Sequence, residues 1–322
     1  MKSFIVLLTI TAFHSIGFSA NICSRSPEIV RALEELTEKN CNSITSVDLK
    51  NISMLSLDKV NSIKASDLQG LDLQRLYISN LNMTSLPTDL LQNQKNLYGV
   101  AIYSPSISIQ LPKDIFQGLN NLHELSLSMI LLTSIPNGLF DGLVSLEKLD
   151  LSVNNFSYLS YGVFKGLDSL RSLNLLVSKN LFAIEDGVFS DLPKLELLKF
   201  SGVKSSVFRK NLFTGLSSLK ELNVDLCESE LTLPLGLFNG LSSINTIVIS
   251  RCGIKTLPTG LFNGLSQLQE LRLGENALEE LQADAFSGLS SLNGLGLSKN
   301  KISSIQEGAF SSLLSLKNLD LT

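Results

Sequence analysis

The stretch from Ile254 to Asn276, which reads IKTLPTGLFNGLSQLQELRLGEN, decides the fold. Its second half has the pattern Leu268-x-x-Leu271-x-Leu273-x-x-Asn276. Leu271 and Leu273 are two residues apart, so both side chains point to one face of a short strand. The first half is rich in turn residues and returns the chain. Because one copy cannot bury its own leucines, the pattern predicts a stack of copies.

The same frame recurs along the rest of the chain. After a first step of 29 residues, successive units begin 24 or 25 residues apart. A fixed internal period of this length is typical of a solenoid. The first leucine-like positions of the predicted units are Ile44, Leu73, Leu97, Leu122, Leu146, Leu170, Leu195, Leu219, Ile244, Leu268, Leu292 and Leu316.

This frame resembles the leucine-rich repeat family in its extracellular form, from about residue 44 to the end. The resemblance implies an α/β fold, a horseshoe-shaped solenoid with a parallel β-sheet on the concave face. Turns and short 3₁₀ segments are expected on the convex face. We therefore predict a signal peptide over residues 1–20, a helical cap over 21–43 and about twelve repeat units over 44–322, the last incomplete.

Composition narrows the classes of partner. The 322 residues are 44% hydrophobic and 17% charged, with a formal net charge of −4 and no run of basic residues. This weak acidity argues against nucleic acid or an anionic membrane as a partner.

The N-terminus has the features of a signal peptide. Lys2 precedes an apolar run over residues 4–13, and Gly17-Phe18-Ser19 predicts cleavage near Ser19 or Ala20. A membrane anchor is the alternative, but the run is shorter than the roughly 20 residues that span a bilayer. We expect a secreted or cell-surface protein with no transmembrane segment in the mature chain.

A capping helix is predicted after this leader. Ser26 is a candidate N-cap, Pro27 suits the first helical position and Glu28 complements the helix dipole. An apolar stripe at helical spacing should cover the first repeat. The stripe consists of Ile29, Val30, Leu33 and Leu36.

Cys23 and Cys41 bracket the predicted helix. In an exported protein this placement predicts a disulfide, whereas a metal site would need further ligands nearby. A cap with two cysteines around a helix resembles those of secreted bacterial leucine-rich repeat proteins.

A phenylalanine recurs in the return segment of nine units. Identical positions in stacked units predict a packed aromatic spine, and a ligand-binding aromatic stripe is the alternative. The column consists of Phe116, Phe140, Phe164, Phe189, Phe213, Phe238, Phe262, Phe286 and Phe310.

Asn154, Asn276 and Asn300 occupy the repeat position whose amide, in the family, bonds the backbone of neighbouring turns. Cys227 and Cys252 fill the same position in consecutive units. We expect these cysteines to be buried free thiols. A disulfide is the alternative, because adjacent strands are only ~4.8 Å apart.

Catalytic patterns are not found in the sequence. After the predicted leader there is one histidine, His123, which is too few for Ser-His-Asp or Cys-His chemistry. Gly294-x-Gly296 falls inside a predicted strand rather than at a phosphate-binding turn. We therefore expect neither enzyme activity nor a cofactor or metal ion.

Concave positions between the leucines are free to vary and can be read as columns across the strands. Tyrosines cluster in the early units, and apolar groups lie among charges in later ones, as suits a protein ligand. The candidate ligand-binding residues are Tyr77, Tyr98, Tyr103, Met129, Asp150, Asn174, Leu176, Lys199, Asn223, Asp225 and Arg272.

The resemblance implies an exported recognition module that binds a protein or a surface polysaccharide on its concave face. A structural envelope or matrix spacer is the main alternative, and an inhibitor of a secreted enzyme is a third. The chain stops at Thr322 within a repeat, so we expect either an incomplete sequence or self-association through an uncapped end. Asn51, Asn82 and Asn155 would accept N-linked glycans in a eukaryote.

Overall fold

The computed structural model describes residues 22–176, 181 and 183–322, so the predicted signal peptide lies outside the described residues. Within them the chain forms two α-helices, α1 (Pro27–Thr37) and α2 (Ser46–Lys50), and two 3₁₀ turns at Ala65–Leu68 and Ser205–Val207. The strands follow in chain order. They are β1 (Met54–Asp58), β2 (Arg75–Ser79), β3 (Gly99–Tyr103), β4 (Glu124–Ser126), β5 (Lys148–Asp150), β6 (Tyr158–Leu159), β7 (Ser172–Leu175), β8 (Ala183–Ile184), β9 (Leu197–Ser201), β10 (Glu221–Asp225), β11 (Thr246–Ser250), β12 (Glu270–Arg272), β13 (Glu280–Leu281), β14 (Gly294–Gly296), β15 (Ser304–Ile305) and β16 (Asn318–Asp320).

One long parallel sheet dominates the described part of the chain. Its twelve strands lie in the order β1-β2-β3-β4-β5-β7-β9-β10-β11-β12-β14-β16. The short strands pair separately, β6 with β8 and β13 with β15. Each unit thus contributes one strand and then turns back, which confirms the predicted parallel-sheet solenoid.

The phenylalanine spine is confirmed as a packed column. Its members from Phe116 to Phe286 are buried, and five consecutive pairs stack with ring centroids 5.8–6.4 Å apart. Between Phe189 and Phe213 the stack is interrupted, because Phe200 from β9 packs against both rings. Phe200 therefore carries the aromatic packing from Phe189 to Phe213.

The predicted first unit is out of register. Leu55 of β1 pairs with Leu76 of β2, so Ile52 and not Ile44 is the residue equivalent to Leu73. Ile44 precedes helix α2 instead. A short helix is found where we expected the first repeat strand. Its start is stabilised by a capping box between Thr45 and Asp48. The boundary between cap and solenoid at residues 43 and 44 stays a prediction.

The cap helix begins at Pro27 with Ser26 as its N-cap residue, as predicted, but the Ser26 side chain makes no capping hydrogen bond. The Ser26 Oγ and N–H both donate to the buried Asp67 carboxylate, at 2.6 and 3.1 Å. Of the predicted stripe, Ile29 and Leu33 are buried and Val30 is half-buried, whereas Leu36 is 53% exposed, so its inclusion in the stripe was wrong. A long-range polar contact has replaced the local cap.

Both cysteine pairs are disulfides. Cys23–Cys41 is confirmed. The expectation of free thiols at Cys227 and Cys252 is wrong, because these residues are bonded, with Cα atoms 4.5 Å apart. Leu226 and Arg251, just before them, have φ of +56° and +53°. The backbone has therefore left the parallel strand geometry, and the two side chains can converge.

The asparagine ladder is also confirmed. The Asn276 amide donates to the carbonyls of Ile249 and Leu273, at 2.8 and 3.0 Å. Its Oδ1 accepts from the N–H groups of Cys252 and Ile254, at 3.0 and 3.3 Å. The amide therefore links neighbouring turns. Similar bonds are made by Asn154 and Asn300.

We expect Asn276→Ala to lower the free energy of unfolding by about 3 kcal/mol, because it leaves several buried backbone groups unpaired. Urea unfolding followed by circular dichroism measures the change. Asn263→Ala, at an exposed position, is the control and should change stability by less than about 0.5 kcal/mol. Equal effects of the two substitutions would contradict a stabilising ladder.

Replacing Cys227 and Cys252 together by serine should lower the free energy of unfolding by about 3 kcal/mol, since the bond closes a loop of 25 residues. Thermal unfolding of the oxidised double variant and of the wild type measures this. An unchanged melting temperature would show that the bond does not stabilise the fold.

Candidate functional site

The concave face is ordered by strand register. Residues predicted to form a column do face one another, strand by strand, across the sheet. Because the main-chain bonds fix this register, each side chain has a defined neighbour on the next repeat. The column is Tyr77, Ala101, Ser126, Asp150, Asn174, Lys199, Asn223, Val248, Arg272, Gly296 and Asp320.

A depression of about 400 Å³ crosses strands β2 to β7, and we call it the N-terminal depression. Its floor carries small side chains, at Gly99, Ala101 and Ser126. Three predicted ligand-binding residues line it together, namely Tyr77, Asp150 and Asn174.

A charged network forms one wall of this depression. Arg75 Nη1 contacts Glu124 Oε2 at 2.8 Å, and Lys148 Nζ contacts Glu124 Oε1 at 3.0 Å. Arg75 and Glu124 lie two strands apart, with Gly99 between them in register. A Cβ on Gly99 would lie 2.9 Å from Arg75 Nη1. The intervening strand has no side chain there, which leaves the path of Arg75 to its partner clear.

An aromatic cluster lies beside this network. Tyr98 stacks on His123 with ring centroids 4.5 Å apart, and the Arg75 guanidinium lies 5.1 Å from the Tyr98 centroid. His123 Nδ1 is 2.7 Å from the carbonyl of Asn121. A carbonyl only accepts, so Nδ1 carries the proton and neutral His123 has its acceptor at Nε2. Tyr98 is thus held between a cation and a ring, yet is still 39% exposed.

Two carboxylates of the concave face, one at this site and one on β10, have pKa values lowered by their partners. Hydrogen bonds from Arg75 and Lys148 hold the pKa of Glu124 below its usual value. Burial raises the pKa of Asp225, but hydrogen bonds from Arg251 and Ser250 lower it more, so the net shift is downward. Both carboxylates are therefore ionised at neutral pH and have partners within the protein.

Other candidate residues lie elsewhere on the concave side. Tyr103, 37% exposed, ends β3. Met129 and Leu176 are half-buried in the turns after β4 and β7. The Asp225 carboxylate is paired with Arg251, whose Nε donates to Asp225 Oδ1 at 2.9 Å. The remaining three candidates lie further along the register column, and the first of them pairs with Asn174 at the edge of the N-terminal depression. They are Lys199, Asn223 and Arg272.

Sequence reasoning missed the charged network of the N-terminal depression. Arg75, Gly99, Glu124 and Lys148 form their own register column, one position before the second leucine of each strand. Reading that column as well would have shown a cation, a glycine and a carboxylate in succession. His123 was considered only for catalysis, although its ring contributes to the aromatic cluster.

We expect Gly99→Val to raise the pKa of Glu124 towards its usual value, because the new side chain blocks Arg75. Carboxyl carbon shifts in an NMR pH titration measure this. In the wild type the ion pairs stabilise the fold above about pH 4.5, and this contribution is lost as the pH falls through the lowered pKa. The half-exposed pair is worth no more than about 1 kcal/mol, so the variant should fold.

Gly296→Val is the matched control, since it lies on β14 and away from Glu124. It should leave the Glu124 titration unchanged. If Gly99→Val also leaves that titration unchanged, the bridge across the glycine does not form in solution.

The stacked strands and the varied concave surface define a class of protein, a repeat solenoid of the kind typical of protein-recognition modules. The chain belongs to the leucine-rich repeat family. It matches the leucine rich repeat at residues 97–156, 120–176, 242–302 and 266–322, which together cover half of the sequence.

Solved structures show the same fold at low sequence identity. One is TLR13 in a complex with ssRNA13, at 24% identity and a TM-score of 0.68. The alignment covers 93% of this chain but only 49% of that one, so this chain spans about half of its length. Another is the internalin InlF of Listeria monocytogenes, at 18% identity and a TM-score of 0.58, covering 92% of this chain and 95% of that one. No curated protein gives a significant match.

The part of the chain that the structure describes contains neither a membrane-spanning helix nor a cluster of metal-binding side chains. None of its helices is both long and apolar enough to cross a bilayer. Groups of three or more His, Cys, Asp or Glu side chains placed to hold a metal ion do not occur there either.

Proposed function

We propose that this protein is an exported recognition module that binds a protein partner on its concave face, centred on the N-terminal depression. The observation that carries the proposal is the cluster of Tyr98, His123 and Arg75. Its tyrosine is partly exposed on a rigid sheet, although nothing in the repeat requires an aromatic residue there. Tyrosine and arginine are the residues that most often dominate binding energy at interfaces.

The rigidity of this cluster supports the proposal. Arg75 is already fixed by Glu124, and Tyr98 is already stacked, so little side-chain entropy is lost on binding. Tyr77 and Tyr103 extend the aromatic surface over β2 and β3. A partner that covers these side chains would contact the tyrosine rings, the fixed Arg75 guanidinium and the floor of the N-terminal depression.

An extracellular location fits this role. Disulfides persist mainly in oxidising compartments, and two are present in the described residues. The predicted signal peptide agrees with export. We therefore propose a secreted or cell-surface setting, with neither enzyme activity nor a cofactor, and with a protein preferred to a polysaccharide or nucleic acid as partner.

The test is capture of cell-surface material by the immobilised mature protein and by a Tyr98→Ala, His123→Ala variant. We expect the variant to lose at least tenfold in capture, because removing an interface hot spot costs more than about 1.4 kcal/mol. Protease treatment of the extract should abolish capture, whereas periodate treatment should not.

Tyr161→Ala is the matched control. Tyr161 is 61% exposed but lies in a return segment, outside the concave strands. It should capture as the wild type does. Equal capture by all three proteins would remove the concave cluster from consideration, and no capture by any would favour a structural spacer.

A further inference from the structure

A second depression of about 550 Å³ lies over strands β11 to β16, and we call it the C-terminal depression. Three glycines are among the residues that line it, namely Gly274, Gly294 and Gly296. Arg272 and Asp320 stand on opposite sides of Gly296, in the same register column. Gly294 and Gly296 lie inside β14, where a glycine costs roughly 0.5–1 kcal/mol, so these positions need a structural reason.

Packing explains two of the three glycines. A Cβ on Gly294 would collide with the Glu270 carboxylate, and one on Gly274 would lie 3.1 Å from Ser298 Oγ. Gly296 is different, because its nearest neighbour would be Arg272 Cγ at 3.6 Å, an ordinary contact. A side chain would therefore fit at Gly296.

The other usual reasons for a strand glycine also fail at Gly296. Its backbone φ is not positive. The pairing of β12, β14 and β16 is continuous, so no bulge occurs there. A remaining cause is the close approach of a ligand to the backbone.

The N-terminal depression provides an internal comparison. There the order across three strands is Arg75, Gly99 and Glu124, and the arginine bridges the glycine to the carboxylate at 2.8 Å. The C-terminal depression has the same order, Arg272, Gly296 and Asp320, in the register column two residues further along each strand, but no bridge is made there. The space over the glycine stays open.

The charges on both sides of this opening are held in place. Arg272 Nε contacts Glu270 Oε1 at 3.0 Å, and within the described residues its Nη1 and Nη2 have no hydrogen-bond partner. Asp320 Oδ1 accepts from Thr322 N and Oγ1 at 3.0 and 2.7 Å. An arginine with a free guanidinium edge and a carboxylate therefore occupy the two positions on either side of Gly296.

We propose that the C-terminal depression binds an extended peptide segment of the partner that carries a carboxylate and a cationic side chain two residues apart. The carboxylate pairs with the Nη1 and Nη2 edge of Arg272, and the cation pairs with Asp320. This inference rests on the proposed function, because it adds a second contact on the same concave face.

The spacing and charge support this ligand. Residues two apart in an extended chain lie about 7 Å from each other on one face, and strands two apart in a sheet are ~9.6 Å apart, so long side chains close the difference. Glu270, Glu275 and Asp320 would repel a purely acidic segment. Arg272 and Lys317 would repel a purely basic one.

The experiment titrates the full mature chain, labelled with ¹⁵N-glycine, with the peptide acetyl-Gly-Glu-Gly-Lys-Gly-amide. The amide shifts of Gly294 and Gly296 report binding. We expect these shifts to saturate with this peptide, and the Glu-Gly-Glu and Lys-Gly-Lys analogues to bind at least fivefold more weakly.

Variants separate binding from folding. Gly296→Val should weaken binding at least tenfold while keeping or raising the melting temperature, since valine suits a strand and a Cβ fits there. Asp320→Lys should reverse the preference towards the Glu-Gly-Glu peptide. Equal binding of the three peptides, or unchanged binding by Gly296→Val, would overturn the proposal.

The two proposals fail in different ways. Surface capture that survives Gly296→Val, together with no peptide shifts, would refute this site and leave the proposed function intact. Peptide binding without any surface capture would support the site and refute the wider role.

Discussion

The register of the parallel sheet is the constraint on which the rest of the structure depends. Each strand hydrogen-bonds the equivalent strand of the next unit, so equivalent residues of successive repeats lie side by side. One strand paired in this way is stable only when its neighbours are present. Burial of the leucines and stacking of the phenylalanine spine both follow from that alignment.

Departures from the repeat are compensated by contacts that the frame does not contain. Ser26 and Asp67 join the cap to the first unit, and Gln94, also buried, donates to the carbonyl of Leu68 at 3.0 Å. The disulfide between Cys227 and Cys252 takes the place of two asparagines. Polar or covalent links between turns therefore recur, although the residues that make them differ.

The concave surface uses the same alignment for recognition. Since the scaffold leaves the outward strand positions free, a glycine in one strand lets a long side chain cross from the strand before it. At Gly99 the crossing is filled by Arg75, and this fixes a charged wall beside Tyr98. At Gly296, in the register column two residues further along the strands, a similar crossing is open. Both depressions therefore have a glycine between an arginine and a carboxylate, and they differ in whether the arginine bridges that glycine.

The sequence by itself determined the solenoid, the columns of facing residues, the phenylalanine spine and the asparagine ladder. These follow from a local pattern that repeats at a fixed period, so one unit predicts the next. The tertiary structure alone decided the register of the first unit, the anchoring of Ser26, the second disulfide and the bridge across Gly99. Each of these depends on where a side chain or a turn points between units, and residue spacing does not encode that direction. Tyr77, Asp150 and Asn174 could be named from the sequence, but their assembly with Arg75 and Glu124 into one depression required the packed sheet.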